Sequence, residues 1–269
     1  MRVSRMPARI ARNRSKMHRL MDAIIREHQE ESFRRRAGAG EEEDLVDVLL
    51  RLQKEADSQF PLATDNIKFV LLGAGADTSS TVLTWAMAEL MRSPRVRPKL
   101  QHELRREFAG DGKVTEEKLR ENVTYLHMVI KETLRLHPPV PLLIPHQCRT
   151  PCRVLGHDVP VGATVMVNAW AIGRDPTAWG GGGDAGVEEF LPERFESLSR
   201  SAPDDGCAPD WRWGWQTWSS RSPRLLLHFD FKLPAGMSPE EVDMTEVAGV
   251  TTWRRDDLLV VAVPRIPAT

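Results

Sequence analysis

Apolar side chains return at i, i+3 and i+4 along most of the chain as far as Leu136, and give way to alternation only after Pro145. The first such stretch predicts a helix over Lys16–Phe33, with Leu20, Ile24 and Ile25 opposite Arg26, Glu27 and Glu30. Arg34–Glu43 reads as a charged, Gly-bearing linker, and Asp44–Lys54 as a second helix with Leu45, Val48, Leu49 and Leu52 on its apolar face. After Pro61, Thr64 or Asp65 is placed to cap one long helix over Asn66–Arg92. Its apolar residues run almost all the way round, which predicts burial. Gly73 and Gly75 each cost about 1 kcal/mol relative to alanine, and the Thr78 hydroxyl competes for the carbonyl one turn back. The helix should therefore be weakest at its centre.

Ser93-Pro94 ends that helix and starts the next, with proline at the first position. Val96, Leu100, Leu104 and Phe108 then mark an amphipathic helix with a basic outer face. Gly110-Asp111-Gly112 reads as a turn, and Thr115 with Glu116 and Glu117 as the start of a short helix. From Tyr125, Val129, Thr133 and Leu136 share one side of a further helix while Glu132 and Arg135 share another, until Pro138 and Pro139 stop it. Taken alone, such a Glu-x-x-Arg is a solvated ion pair worth roughly a few tenths of a kcal/mol.

In the alternating part, Arg153-Val154-Leu155, a Gly156-His157 turn and Thr164–Asn168, returning at Gly162, predict a β-hairpin. Gly249–Trp253 and Leu258–Val263 predict a second, turning at Arg254–Asp257. The fold class expected is mainly α with small β-hairpins. His146, Cys148, Cys152 and His157 could be drawn around a metal, but their spacing fits no common zinc pattern.

Composition narrows the function classes. The chain has 269 residues, 41% of them hydrophobic, and no apolar run near the roughly eighteen residues a membrane span needs. A formal net charge of −1 argues against a general nucleic-acid binder. Three cysteines give no disulfide framework and suit a reducing compartment. The basic start, Arg2–Arg19, lacks the apolar segment of a targeting peptide.

Three motifs in order carry a resemblance: Ala74-Gly75-Ala76-Asp77-Thr78-Ser79, then Glu132-x-x-Arg135 running into Leu136-His137-Pro138-Pro139, then Pro192-Glu193-Arg194-Phe195. The chain resembles a cytochrome P450, above all the plant microsomal enzymes that hydroxylate terpenoids and other specialised metabolites. The resemblance covers nearly the whole chain and implies an incomplete cytochrome P450 fold, one partial domain over residues 1–269. The family's anchor helix, β-rich lobe and first helices would lie before it. It further implies heme b, O2, electrons from NADPH through NADPH-cytochrome P450 reductase, and a small apolar substrate. The implied location is the endoplasmic reticulum membrane, held by an anchor this sequence lacks.

Residue by residue, the resemblance gives Ala74 and Gly75 the task of letting a flat cofactor approach the backbone. Thr78 leaves a groove for dioxygen, and Asp77 relays protons for heterolytic O–O cleavage. Glu132, Arg135 and Arg194 form an ionic trio that holds the scaffold and does no chemistry. His146 stands where the family often places an arginine against a haem propionate, and the terminal hairpin lines part of the substrate pocket.

One motif is missing. The family carries its iron-ligating cysteine in F-x-x-G-x-R-x-C-x-G, whereas here Cys207, the candidate haem and metal ligand, is flanked by Asp204, Asp205 and Asp210, which oppose thiolate formation. Tryptophan has a single codon, so the codons of Trp211-Arg212-Trp213-Gly214-Trp215-Gln216 are nearly fixed. Read two nucleotides later they give apolar residues alternating with Ala and Gly, and permitted codons upstream spell A-G-R-R-M-C-P-G-L. Residues 197–223 are therefore expected to be an out-of-frame segment replacing the haem loop, with four of the chain's eight tryptophans inside it. The chain as written is then expected to be inactive. The alternative is a non-catalytic remnant, or an interaction fragment in which Trp211, Trp213, Trp215 and Trp218 stack on a partner.

Overall fold

A 30-residue helix, α1 (Met6–Arg35), opens the described chain, beginning well before the Lys16 that periodicity marked. The computed structural model describes residues 6–35, 44–55, 61–109, 114–180, 186–198 and 223–265. They fall into two units, Met1–Asp77 and Thr78–Thr269. Within the first, α2 (Leu45–Lys54) is capped by Asp44, whose side chain accepts from the Asp47 amide. It buries Val46, Leu49 and Leu50, with Leu45 packed against the same core; of the expected Leu45/Val48/Leu49/Leu52 stripe, Leu52 is exposed instead. Those residues close over Ile25 of α1 and Ile67 of α3 (Thr64–Phe69).

The residues expected to form one long helix are helical throughout but do not share one winding. α3 starts after Ala63, with neither Thr64 nor Asp65 as cap, and passes into a π-helical stretch, Val70–Asp77. The chain resumes α geometry in the second unit as α4 (Thr78–Arg92). The π stretch contains both Gly73 and Gly75, where the α ladder is least favoured. All-round burial holds only for α4, where Val82, Trp85 and Leu90 are enclosed; Phe69 is 74% exposed.

The second unit is built on α4, α5 (Val96–Glu107) and α7 (Thr124–Leu136), with α6 (Glu116–Asn122) between the last two. Val96, Leu100, Leu104 and Phe108 of the α5 region are all buried in one core with Leu126, Val129 and Ile130 of α7. Burial of such side chains contributes about 1.5–3 kcal/mol each. Pro94 lies in the turn before α5, and Arg95, not Ser93, occupies the cap position. Thr115 caps α6 through the Lys118 amide.

Among the described residues, four two-stranded antiparallel sheets complete the unit, and their pairing departs from sequence expectation. β2 (Cys152–Val154) pairs with β3 (His157–Val159) around Leu155 and Gly156, both at positive φ. β4 (Thr164–Val165) pairs instead with β1 (His146–Gln147), so the segment expected to close the first hairpin returns to an earlier strand. After the short helices α8 (Ala169–Ile172) and α9 (Pro176–Trp179), a 3-10 turn Pro192–Arg194 leads into α10 (Phe195–Leu198). The terminal hairpin is likewise absent as drawn. β6 (Glu246–Val247) pairs with β7 (Trp253–Arg254), and β8 (Val261–Pro264) pairs with β5 (Phe229–Lys232). Periodicity marks a strand but not its partner, and the partners of β4 and β8 lie well before them in sequence. α5 braces β5: Gln101 donates to Phe229 O at 3.1 Å, Arg97 to Phe231 O at 2.9 Å, and Arg105 to Asp230 at 2.6 Å.

Candidate functional site

The centre of the second unit is the C-terminal half of α7. Its helix ends where the Pro138-Pro139 pair removes two amide donors, with His137 N closing the last turn on Thr133 O at 2.7 Å. Glu132, Thr133, Arg135 and Leu136 are all buried, so the acid and base do not share a solvent face. Thr133 meets its own need by donating to Val129 O at 2.8 Å.

Arg135 uses every N–H of its guanidinium. Nε and Nη2 fork onto the Glu132 carboxylate at 2.7 and 2.8 Å. The other hydrogens go to the carbonyls of Gly173 at 2.6 Å, Val187 at 2.8 Å and Glu189 at 3.3 Å. One side chain thus ties α7 to the end of α8 and to the loop before the Pro192–Arg194 turn. Glu132 Oε1 also accepts from the Leu191 amide at 2.9 Å.

Arg194 joins this carboxylate unequally. Its Nε is 3.6 Å from Glu132 Oε1 and buried without a hydrogen-bond partner, because Leu191 N and Arg135 Nη2 already occupy that oxygen. Its Nη1 and Nη2 instead donate to Trp179 O at 2.9 Å and Gly186 O at 2.6 Å. The pairing with Arg194 is Coulombic and that with Arg135 bidentate, a division the spacing of the motifs did not foretell. Sequence reasoning also passed over Gly173. A Cβ there would lie 2.2 Å from Arg135 O, so only glycine lets α8 come this close to α7. The signal available was a lone glycine at the end of a short helical pattern, which is too common to single out.

A second buried assembly follows directly. The His137 ring stacks flat on Trp85 at 4.1 Å, with Nε2 2.7 Å from Glu89 and Nδ1 3.4 Å from Glu246. Trp85 Nε1 donates to Thr252 O at 2.9 Å, and Thr252 N to Pro139 O at the same distance. A ring with an acceptor at each nitrogen is best matched when both carry hydrogen. Burial pulls the His137 pKa down, but Glu246 and Glu89 outweigh it and leave it raised. For Glu246, burial raises the pKa and the His137 contact more than offsets it, so the net direction is down.

The sign of the pH dependence follows. The His137 contribution to stability is complete below the ordinary histidine value of about 6.5 and is lost as pH rises through the raised folded value. The Glu246 contribution is present above the ordinary carboxylate value of about 4.3 and is lost as pH falls through its lowered folded value. Denaturation midpoints should therefore fall as pH rises above the ordinary histidine value of about 6.5, and His137→Gln should flatten that slope. An unchanged slope in the variant would show that other groups set it.

The remaining sequence candidates are placed as follows. Ala74, Gly75 and Asp77 lie in the π stretch of the first unit, and Thr78 is the first residue of α4. A Cβ at Gly75 would meet only Val70 O, at an ordinary 3.9 Å. His146 is exposed on β1. Among the described residues, His146, Cys148, Cys152 and His157 enter no group of three metal-ligand atoms. Cys207, nearly all of the 197–223 window, and Gly110-Asp111-Gly112 lie outside the described residues, as does most of the Gly180–Gly183 insertion.

A family model described as Cytochrome P450 matches residues 3–207, more than half of the chain. The chain belongs to the cytochrome P450 family. Its relatives include premnaspirodiene oxygenase of Hyoscyamus muticus, 42% identical over 98% of this chain and 54% of that protein. Another is 5-epiaristolochene 1,3-dihydroxylase of Nicotiana tabacum, 41% identical over 94% of this chain and 52% of that protein. The solved structure of a zebrafish cytochrome P450 with abiraterone superimposes with a TM-score of 0.71 at 29% identity, covering 94% of this chain and 59% of that one. This P450 chain thus spans about half the length of the curated relatives it matches. No helix among its described residues is long and apolar enough to cross a membrane.

As a P450 chain it implies haem, and the described residues include exposed apolar side chains beside β1 and β4. Leu142 and Ile144 immediately before β1, and Val165 and Met166 at the end of its partner β4, are all exposed apolar groups on adjoining segments.

Proposed function

We propose that the protein to which these residues belong is a haem-thiolate monooxygenase, inserting one atom of O2 into an apolar plant metabolite such as a terpenoid. The observation that carries this is identity above 40% to relatives named as an oxygenase and a dihydroxylase. When bound, haem supplies dioxygen activation, with electrons passed from NADPH by a reductase. Ala74 and Gly75 give it a close approach to the backbone, a role supported by the undemanding surroundings of Gly75. Asp77 relays protons at its carboxylate, and Thr78 leaves a groove for dioxygen. Glu132, Arg135 and Arg194 keep the scaffold in register without touching substrate. Attachment to the endoplasmic reticulum membrane and docking to NADPH-cytochrome P450 reductase belong to the same proposal.

For the chain as written, we propose that catalysis is absent because the segment 197–223 is translated out of frame. The family match stops at residue 207, inside that window, while similarity to the oxygenase extends over 98% of the chain. Cys207 among three aspartates would make a poor thiolate ligand. The measurement is the carbon monoxide difference spectrum after reconstitution with haem and reduction. The chain as written should give no thiolate-type band, and the full-length protein with the window restored to frame should give one. A thiolate band from the chain as written would overturn the inactive reading, and none from the restored protein would overturn the monooxygenase assignment. An unbroken frame in the transcript would favour the tryptophan-rich interaction segment instead.

A further inference from the structure

The exposed β-region of the second unit contains a pair of cysteines that the monooxygenase reading does not use. Cys148 follows β1 and Cys152 opens β2, and their sulfurs are 3.8 Å apart. We propose that Cys148 and Cys152 are a reversible dithiol–disulfide pair, oxidised by small disulfides of the glutathione class.

Both backbones are already held in place. Cys148 N donates to Ala163 O and Cys148 O accepts from Gly162 N, each at 2.9 Å, while Cys152 is paired with Val159 across the β2–β3 ladder. The Cys148 thiol lies 3.8 Å from Val159 O on that ladder and donates to Thr150 O at 3.0 Å. Pro151 restricts both itself and Thr150, so the short connection between the cysteines has few alternative conformations. A disulfide needs a sulfur separation of about 2.0 Å, so the two thiols, now 3.8 Å apart, have under 2 Å left to close. The two sulfurs belong to no group of three metal-ligand atoms among the described residues, which favours redox chemistry over a closed metal site. The burial and access of the pair set the order of events: Cys152 is exposed and Cys148 half-buried.

The chemistry balances with an external disulfide as oxidant. Cys152 loses its proton to water, and its thiolate attacks one sulfur of the external disulfide, forming a mixed disulfide and expelling one thiolate. Cys148 then loses its proton and attacks the Cys152 sulfur, forming the internal bond and expelling the second thiolate. Two protein thiols are oxidised, one external disulfide is reduced to two thiols, and the two protons released by the cysteines end on those thiols. In a reducing compartment such a bond forms only when the pool is oxidised, which is the behaviour of a sensing rather than a structural disulfide.

The test uses the 269-residue chain in buffers of rising oxidised-to-reduced glutathione ratio, with acid quenching, alkylation and peptide mass measurement. The expected result is simultaneous loss of both alkylatable thiols, a mass decrease of two hydrogens, and full reversal by reductant. The midpoint should move to a more oxidising buffer when the same titration is run in denaturant. Cys148→Ser should trap a glutathione adduct on Cys152, because the resolving thiol is gone. Adduct accumulation on Cys152 in the unaltered chain, pairing of either residue with Cys207, or an identical midpoint in denaturant would each overturn the proposal.

Discussion

Glu132→Ala should remove a large part of the second unit's stability. The carboxylate is fully buried and takes two charge-assisted bonds from Arg135 and one from the Leu191 amide, with Arg194 facing it at 3.6 Å. Alanine would leave two buried guanidiniums facing one another with no counter-charge. Removing one partner of a buried pair costs about 3–5 kcal/mol, against a typical total stability of about 5–15 kcal/mol. Chemical denaturation of the soluble chain is the measurement, with Glu132→Gln as the milder comparison because it keeps acceptor and shape but loses the charge. A Glu132→Ala unfolding free energy within about 0.5 kcal/mol of the parent would mean that solvent reaches the ion pair after all.

Gly173→Ala should be the next most damaging change, although it adds a single methyl group. The added carbon would lie 2.2 Å from Arg135 O and 3.2 Å from its carbonyl carbon, both backbone atoms that no rotamer change can move. Relief requires α8 to withdraw from α7, which also pulls the Gly173 carbonyl away from Arg135 Nη1, now 2.6 Å distant. Overpacking of this kind costs about 1–3 kcal/mol, and the lost charge-assisted bond adds about 1.5–3 kcal/mol. Paired with a milder Glu132 change such as Glu132→Gln, the two effects should be less than additive, because both act on the same guanidinium. Full additivity in that double-mutant cycle would separate the two sites and refute the shared assembly.

Helices were easier to foresee than strands for a physical reason. A helix satisfies its own backbone, so periodicity within one segment suffices to mark α2, α6 and α7, and the residues that α5 buries. A strand must find a partner, and Thr164-Val165 found His146-Gln147 while Val261–Pro264 found Phe229–Lys232, choices no local pattern records. The π winding of Val70–Asp77 lay between these cases. Gly73 and Gly75 announced a weak centre, but whether the chain would break, bend or widen there depended on its surroundings.

The sequence by itself determined the family, through three short motifs in order, and with it the expectation of haem and a mainly helical fold. It also placed Glu132 and Arg135 side by side on one helix, since their relative position depends only on helical geometry. Only the tertiary structure decided that this pair is buried and that Arg135 spends its remaining hydrogens on Gly173, Val187 and Glu189. The same holds for His137, clasped between Glu89 and Glu246 against Trp85, and for the meeting of Cys148 with Cys152. Burial and hydrogen-bond partners depend on which distant segments pack together, and a one-dimensional pattern records how each segment is shaped, not what it will touch.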